Sequence, residues 1–284
     1  MEKNEKTWEG AVLWLREQPD LQQLVRDCYF DDPLPNAAKR YYGGAEWQEV
    51  RKYLGRATPA AIRVAPPGPG SAGKALDVGA GMGISSYALA RDGWDVVALE
   101  PDPSDIVGTG AIRSLFQAVN LPIKIEQTWG ESLPFPDDTF KVVHCRQVLH
   151  HARDLKKLGS ELARVLKPGG YFIATRDHVI AKNKDLQNFL DSHPLHKHYG
   201  GEHAYRLEEY LDALRGGGIR ITKVLNPFDS DINLLPLTRF ELKRRIAKRL
   251  FLPWPQLIPQ GLLSIIGRTI KTPGMLYSFL GTKA

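Results

Sequence analysis

Short apolar runs alternate with helix-like stretches along most of the chain from Lys74 onward. Runs such as KALDV and DVVAL are too short for helices, and apolar residues between them recur at helical spacing. Buried strands separated by helices are typical of an α/β fold, a parallel sheet with helices on both faces. The predicted strands are 74–78, 95–99, 123–127, 140–145, 171–175, 219–225 and 275–283, and the predicted helices are 83–91, 103–119, 154–167 and 206–215.

Two regions do not follow this alternation. Before it, 7–30 and 45–56 have helical spacing, and the Pro/Gly-rich stretch APPGPGSAG (65–73) marks a boundary. Near the end, a basic and then apolar stretch separates the last two predicted strands, which indicates an insertion. The predicted organisation is an N-terminal helical cap and linker (1–73), a core (74–231), an insertion (232–273) and the last strand of the core sheet (274–284).

A glycine-rich loop follows the first predicted strand. In LDVGAGMG the glycines are Gly79, Gly81 and Gly83, and Ile84 stands where a dinucleotide fingerprint has its third glycine. Ligands of parallel sheets bind at the carboxyl ends of the strands, where this loop lies. Glu100 ends the second strand, where a carboxylate can accept both ribose hydroxyls of a nucleoside. The pattern favours an adenosyl ligand over NAD, and a tight turn without a ligand is the alternative.

Four sequence blocks occur in a fixed order over roughly 74–178: LDVGAGMG, VVALEPDPS, ESLPFPDDTFKVVHCRQVLHH and LARVLKPGGYFI. Together they resemble the class I S-adenosylmethionine-dependent methyltransferases, in particular the members that act on small molecules. The resemblance implies a Rossmann-like seven-stranded sheet, mostly parallel with an antiparallel last strand, and S-adenosyl-L-methionine as cofactor. It also implies that the three glycines pass under the methionine part, that Asp77 helps hold its amino group, and that Glu100 binds the ribose.

The chain departs from the family where members often carry Asp-Ala, with the Asp contacting the adenine. Here the residues are Trp129 and Gly130, followed by Glu131. We expect Trp129 to cover the adenine by stacking and Glu131 to supply a carboxylate nearby. Weakened cofactor binding is the alternative.

Two histidines follow the fourth predicted strand and so lie beside the cofactor loop. An imidazole that titrates near neutral pH suits a general base for a hydroxyl acceptor, and sugar O-methyltransferases of this group use a histidine at this loop. We expect His151 to be the base or to contact the acceptor, and His150 is more often a packing residue. Asp177, after the fifth strand, is a candidate for orienting the base or binding the acceptor.

The segment HPLHKHYGGEH (193–203) gathers further polar side chains. It contains His193, His196, His198, Glu202 and His203, but no helical H-x-x-x-H pair and no cysteine. We therefore predict no metal. The segment reads instead as an acceptor-binding loop or lid, to which Tyr199 and Tyr205 offer ring faces.

The distribution of charge along the chain is more informative than the net charge. The net charge is +6, yet 239–284 hold nine Lys or Arg and one acid, so the rest is slightly acidic. Residues 239–250 form a basic amphipathic pattern, and 250–267 lack charge but contain prolines that disfavour a spanning helix. We predict that 239–270 contact an anionic membrane surface, with a dimer or domain interface as the alternative. Nucleic acid is disfavoured because no binding motif accompanies the charge.

These observations predict a cytoplasmic enzyme, peripheral at the inner face of the membrane. No secretory signal is evident, and the two cysteines have no redox or metal spacing. The predicted function is O-methylation of a sugar or other small-molecule hydroxyl, lipid-linked or belonging to surface-polysaccharide biosynthesis. A quinone or lipid methyltransferase, a non-catalytic cofactor-binding regulator and an RNA methyltransferase are the alternatives.

Overall fold

The computed structural model describes residues 7–31, 33–55, 70, 72–193, 195–196, 200–234, 237–270 and 272–284. Over these residues the chain forms one mixed sheet in the order β3-β2-β1-β4-β5-β8-β7, with β6 paired to β5. The strands are β1 (Lys74–Val78), β2 (Asp95–Leu99), β3 (Lys124–Glu126), β4 (Phe140–Arg146), β5 (Leu166–Ile180), β6 (Tyr205–Arg206), β7 (Ile219–Leu225) and β8 (Met275–Lys283).

Strands β1 to β6 pair in parallel, and β8 runs antiparallel to both of its neighbours, β5 and β7. The predicted α/β fold with an antiparallel last strand is therefore confirmed. The described sheet has eight strands rather than seven because the two residues of β6 add to the edge of β5 beyond the end of β4. Strand β5 also begins at Leu166, within the segment LKPGG.

The helices lie on both faces of the sheet or in the flanking segments. They are α1 (Trp8–Glu17), α2 (Gln22–Asp27), α3 (Leu34–Gly43), α4 (Ala45–Tyr53), α5 (Ile84–Arg91), α6 (Thr109–Ala118), α7 (Leu155–Val165), α8 (Asp185–Ser192), α9 (Leu207–Gly216), α10 (Arg239–Arg249) and α11 (Gln260–Thr269). The single helix predicted over 7–30 is wrong. Gln18 is extended (φ −85°, ψ 113°) because Pro19 follows it and disfavours a helical conformation there.

The core has two layers because side chains alternate across each strand. Ala75 and Val142 pack on one face with α3 to α6, whereas Leu76 and Val143 pack on the other with α7 and α9. The N-terminal helices are tied to the first layer by a buried ion pair, in which Arg51 donates to both oxygens of Asp92 (2.7 and 2.9 Å). Most of the predicted linker, 65–69 and 71, lies outside the described residues.

Between β7 and β8, α10 and α11 form a small helical pair. Its interior is Ala247, Ile258 and Leu263, with Leu242 and Ile246 partly buried against them. The Thr238 hydroxyl accepts from the Glu241 N–H and begins α10 with a capping box. None of the described helices combines the length and apolarity that crossing a bilayer requires.

Candidate functional site

A cavity of about 1430 Å³ opens at the carboxyl ends of β1, β2, β4 and β5. Its wall includes the glycine loop, the ends of β2 and β4, the loop after β4, and side chains from the N-terminal segment such as Trp8 and Phe30. Small-molecule pockets typically measure about 300 to 1,000 Å³. This cavity therefore has room for a cofactor and an acceptor together.

The glycine loop requires glycine for two reasons. Gly79 has a φ of +61°, and a Cβ there would lie 2.6 Å from the side chain of Val148 in the loop after β4. Gly83 has a φ of +82° and begins α5 in the left-handed conformation. At Gly81 a Cβ would meet nothing nearer than 3.9 Å, so the backbone borders open cavity there. The loop thus leaves space for a ligand to approach the main chain.

Asp77 does not reach this cavity, in contrast to the sequence-based expectation. Its side chain lies on the face of β1 that α5 covers. There Oδ2 accepts a hydrogen bond from the Ser86 hydroxyl (2.6 Å), and Oδ1 accepts one from Nδ1 of His144 (2.8 Å). The residue is 1% exposed and is absent from the cavity wall. In this structure Asp77 therefore has no direct access to a ligand in the cavity, where it was expected to help hold the cofactor amino group. Asp77 instead joins α5 and β4 to β1.

Glu100 lies in the cavity wall at the end of β2. Its two oxygens accept backbone N–H groups from Gly81 (2.7 Å) and Asp102 (3.0 Å). Burial raises the pKa of Glu100 to about 7, although these hydrogen bonds oppose the shift. Each carboxylate oxygen keeps a further lone pair, so the group can still accept two ligand hydroxyls.

Trp129, Gly130 and Glu131 line the same wall. The Trp129 side chain is 52% exposed, and the guanidinium of Arg153 lies 4.4 Å from its ring centroid. Arg153 therefore covers one face of the Trp129 ring and leaves the other face for the adenine to stack on. Glu131 accepts the backbone N–H of Arg153 (2.9 Å), and a Cβ on Gly130 would lie 2.7 Å from Leu158.

His150 is buried between two carboxylates. Its Nδ1 is 2.9 Å from Oδ1 of Asp177, and its Nε2 is 3.6 Å from Oε2 of Glu202. Burial alone would lower the pKa of His150, but the hydrogen bonds to both carboxylates outweigh it and raise the pKa to about 9. His150 is therefore an imidazolium at neutral pH and not a free base. Asp177 orients His150 and makes no described contact with His151.

His151 has the opposite character. Its Nδ1 is 3.1 Å from the carbonyl oxygen of Gly201, and a carbonyl can only accept. Nδ1 therefore carries the proton, and Nε2 is left as an acceptor on the cavity wall. The surrounding protein and the adjacent charged His150 lower the pKa of His151 to about 4, so this imidazole is neutral at pH 7.

The structure brings in three residues that the sequence analysis did not select: Arg146, Arg176 and His178. Arg146 ends β4, and the other two flank Asp177 in β5. The same rule that pointed to Asp177, the carboxyl end of a parallel strand, could have found them. His178 donates from Nδ1 to the Gly274 carbonyl (2.8 Å), which leaves its Nε2 free.

Two groups of side chains could hold a metal ion: His178 with His193 and Glu202, and His150 with His151 and Glu202. Within each group the candidate ligand atoms lie within 4.8 Å of one another. Ion pairing of His150 with Asp177 and Glu202 accounts for the proximity in the second group, and in the first group His193 Nδ1 lies 3.9 Å from Glu202 Oε1. His198 and Tyr199 lie outside the described residues, and Tyr205 uses its hydroxyl to donate to Ala152 (2.7 Å).

Comparison with known proteins bears on the same region. The model of a methyltransferase domain family matches residues 76–174, which contain the glycine loop, Glu100, His150 and His151. Residues 76–174 therefore match a methyltransferase domain, as the four sequence blocks indicated. S-adenosyl-L-methionine is the cofactor that such a domain indicates, and the open space at Gly81 and the lone pairs of Glu100 fit it.

Curated relatives match only part of this chain. An uncharacterized methyltransferase YcgJ of Bacillus subtilis (strain 168) is 30% identical over 126 residues, 42% of this chain and 46% of the relative. A ubiquinone biosynthesis O-methyltransferase of Rhizobium etli (strain CIAT 652) is 29% identical over 170 residues, 57% of this chain and 67% of the relative. The chain thus spans about half the length of the first of these relatives.

Solved structures of other proteins share the fold of this chain. Geranyl diphosphate C-methyltransferase from Streptomyces coelicolor A3(2), in complex with Mg²⁺, geranyl diphosphate and S-adenosyl-L-homocysteine, aligns with a TM-score of 0.54 at 14% identity. That alignment covers 89% of this chain and 88% of that one. The YcgJ structure aligns with a TM-score of 0.50 at 20% identity, covering 82% and 98%.

Proposed function

We propose that the protein methylates a hydroxyl group of a sugar or another polar small molecule, with His151 as general base. When bound, S-adenosylmethionine supplies a sulfonium methyl group and leaves as S-adenosylhomocysteine. The acceptor oxygen forms the new bond to the methyl carbon, and its proton passes to Nε2 of His151. Glu100 and the glycine loop hold the cofactor, and the cavity wall aligns the acceptor oxygen with the methyl group.

The fixed tautomer of His151 carries this proposal. The Gly201 carbonyl holds the proton on Nδ1, so the nitrogen that faces the cavity has a lone pair. An oxygen that is forming a bond to carbon becomes strongly acidic, and even a weakly basic imidazole can then accept its proton. The neighbouring imidazolium of His150 is held by its own carboxylates and does not compete for the proton.

The test is a turnover assay with S-adenosylmethionine and a panel of sugars, phenols and quinols, read by mass spectrometry of the methylated product. His151→Asn keeps a donor for the Gly201 carbonyl but removes the base, and we expect kcat to fall by about 10²- to 10⁴-fold. Binding of S-adenosylhomocysteine should stay unchanged. His203→Asn, at a ring that is tilted by 51° against Tyr205 and does not line the cavity, is the matched control. Full turnover of His151→Asn would show that the base is elsewhere.

A quinone or lipid acceptor is the second candidate, and the ubiquinone O-methyltransferase relative favours it. Turnover of the quinols alone in the same panel would select it over a sugar. A regulator that binds the cofactor without catalysis would show tight binding of S-adenosylhomocysteine and no product with any acceptor.

We also propose that the helical pair of α10 and α11 attaches the protein to the cytoplasmic face of an anionic membrane. Among the described residues, ten large apolar side chains are exposed, and eight of them lie in this pair or its connection: Phe240, Leu250, Phe251, Leu252, Trp254, Leu257, Leu262 and Ile265. Arg244, Arg245, Lys248 and Arg249 are exposed beside them. Apolar side chains bordered by basic ones suit a bilayer interface with anionic headgroups.

Co-sedimentation with vesicles tests this attachment, with phosphatidylglycerol mixed into phosphatidylcholine and pure phosphatidylcholine for comparison. Arg244→Gln with Arg245→Gln should weaken binding by about 30-fold, since each charge near such a surface contributes about 1 kcal/mol. Phe251→Ser with Trp254→Ser should weaken it further. The exposed pair Lys156→Gln with Lys157→Gln is the control. Equal binding to neutral vesicles, or salt-sensitive binding to RNA in place of vesicles, would contradict the proposal.

A further inference from the structure

Arg176 is a buried arginine on the wall of the cavity. It is 7% exposed and lies where the pairing of β5 with β8 shifts register, between Ala174 and Asp177. Its φ is +64°, a left-handed conformation that a non-glycine residue adopts only when its surroundings hold it there. Its backbone N–H donates to the Ser278 hydroxyl (3.2 Å), which in turn donates to Asn233 (2.6 Å). The backbone is therefore fixed in a conformation that places the guanidinium at the cavity.

The guanidinium lacks a carboxylate partner among the described residues. Nη1 donates to the Ile232 carbonyl (3.0 Å), and the buried Nε has no hydrogen-bond partner. Arg146 lines the same cavity but is fully paired, because its Nε and Nη2 donate to the two oxygens of Glu46 (2.8 and 3.1 Å). The two arginines therefore differ in the feature that matters for a ligand, a free donor.

A buried cation that makes no hydrogen bond to a carboxylate is unfavourable for the folded protein. Burial lowers the pKa of Arg176, the negative charge of nearby Glu46 opposes this shift, and the positive charge of Arg146 adds to it, yet an arginine remains charged at neutral pH. The planar fork of donors matches a carboxylate or phosphate group better than any neutral ligand. Such a residue on a cavity wall is poised for an anion that arrives with the substrate.

The order of the strands separates this cation from the cofactor loop. Glu100 and the glycine loop lie at the ends of β2 and β1, whereas Arg176 belongs to β5, with β4 between. Neighbouring strands are about 4.8 Å apart, so Arg176 lies about 10 Å from β1 and about 14 Å from β2 across the sheet. His151, the proposed base, follows β4 and lies between the two regions. This arrangement places Arg176 on the acceptor side of the base.

We propose that Arg176 binds a phosphate or carboxylate group carried by the methyl acceptor. The acceptor is then an anionic small molecule, with its hydroxyl at His151 and its anion at Arg176. The assignment to an acceptor rests on the proposed methyl transfer, whereas the presence of an anion subsite does not. The subsite is therefore tested by binding, without turnover.

The experiment titrates inorganic phosphate, and separately acetate, into the protein saturated with S-adenosylhomocysteine. Arg176→Gln keeps a donor for the Ile232 carbonyl but removes the charge, and we expect affinity for both anions to fall at least tenfold. Arg176→Lys keeps the charge without the fork and should fall between. Arg215→Gln, at an exposed position of α9, is the control and should bind as the wild type does. The anion that binds with the higher affinity indicates whether the acceptor carries a phosphate or a carboxylate group.

A second readout distinguishes binding from a structural role. Without ligand, Arg176→Gln should raise the Tm, because it removes an unpaired buried charge. A lower Tm together with unchanged phosphate affinity would overturn the proposal and make Arg176 a structural residue. Weaker binding of S-adenosylhomocysteine by the variant would also overturn it, by assigning the cation to the cofactor carboxylate. Loss of methyl transfer in any acceptor panel would leave the anion measurement intact.

Discussion

Affinity for the cofactor should depend on pH through Glu100. In the predicted role of Glu100 the ribose hydroxyls donate to its carboxylate, so binding would require the ionised form, while burial raises the pKa of this group to about 7 in the protein alone. At a pH of about 5.5 only about 3% of the molecules carry the ionised group, and at about 8.5 nearly all do. Affinity for S-adenosylhomocysteine should therefore rise about 30-fold between these values.

The stability of the unliganded protein should change in the opposite direction. A folded-state pKa raised from 4.5 to about 7 means that the folded protein holds the proton more tightly than the unfolded chain does. The resulting stabilisation is complete below the unfolded pKa and is lost as the pH rises through about 7. Two to three pKa units correspond to about 3 kcal/mol, an upper value for this single group.

Calorimetric titration at several pH values measures the first effect, and urea unfolding of the unliganded protein measures the second. At pH 7, cofactor binding should release about half a proton, which buffers of different ionisation enthalpy detect. Glu100→Gln is the control, with weak affinity that does not vary over this range. A wild-type affinity that is flat from pH 5.5 to 8.5 would refute the reasoning, since Glu100 would then be ionised before the ligand arrives.

Three further predictions concern the loop, the N-terminal helices and the histidine cluster. Gly79→Ala should weaken cofactor binding at least tenfold in calorimetry, because its Cβ would lie 2.6 Å from Val148, whereas Gly169→Ala, with a similar φ but open space, should not. Arg51→Met should lower the free energy of unfolding in urea by about 3 to 5 kcal/mol by removing the cation that pairs with the buried carboxylate of Asp92, and adding Asp92→Leu should recover part of it. Dialysis against EDTA should leave turnover unchanged, and a loss restored by Zn²⁺ or Mg²⁺ would assign the cluster to a metal.

The fold could be predicted from the sequence because strand and helix patterns are local. Runs such as 95–99 and 140–145 carry their period within a few residues, and the structure places strands there. Strand β6 could not be predicted, since two residues hold no period and pair only because β5 extends past the end of β4. The helix break before Pro19 could have been predicted from the sequence, because proline restricts the conformation of the residue before it.

The site was predictable in position but not in chemistry. Motif order located the glycine loop, Glu100 and the two histidines on one cavity wall. The proton positions depend on residues distant in sequence: Glu202 and Asp177 hold the charge on His150, and Gly201 fixes the tautomer of His151. The strand-end rule could have selected Arg176, but its left-handed conformation arises from the irregular pairing of β5 with β8 and could not be predicted. Long-range packing determines these features, and no local pattern records it.

The cavity wall is assembled from two kinds of sequence. The cofactor side comes from the segment 76–174 that matches the methyltransferase domain family, whereas Trp8, Phe30, Arg176, Glu202 and Leu276 come from outside it on both sides. In the proposed methyl transfer, the shared segment supplies the cofactor side and His151, and the flanking segments supply much of the remaining wall that an acceptor would meet. Exchanging the flanking segments between relatives, with the shared segment kept, is the direct route to an enzyme with a new acceptor.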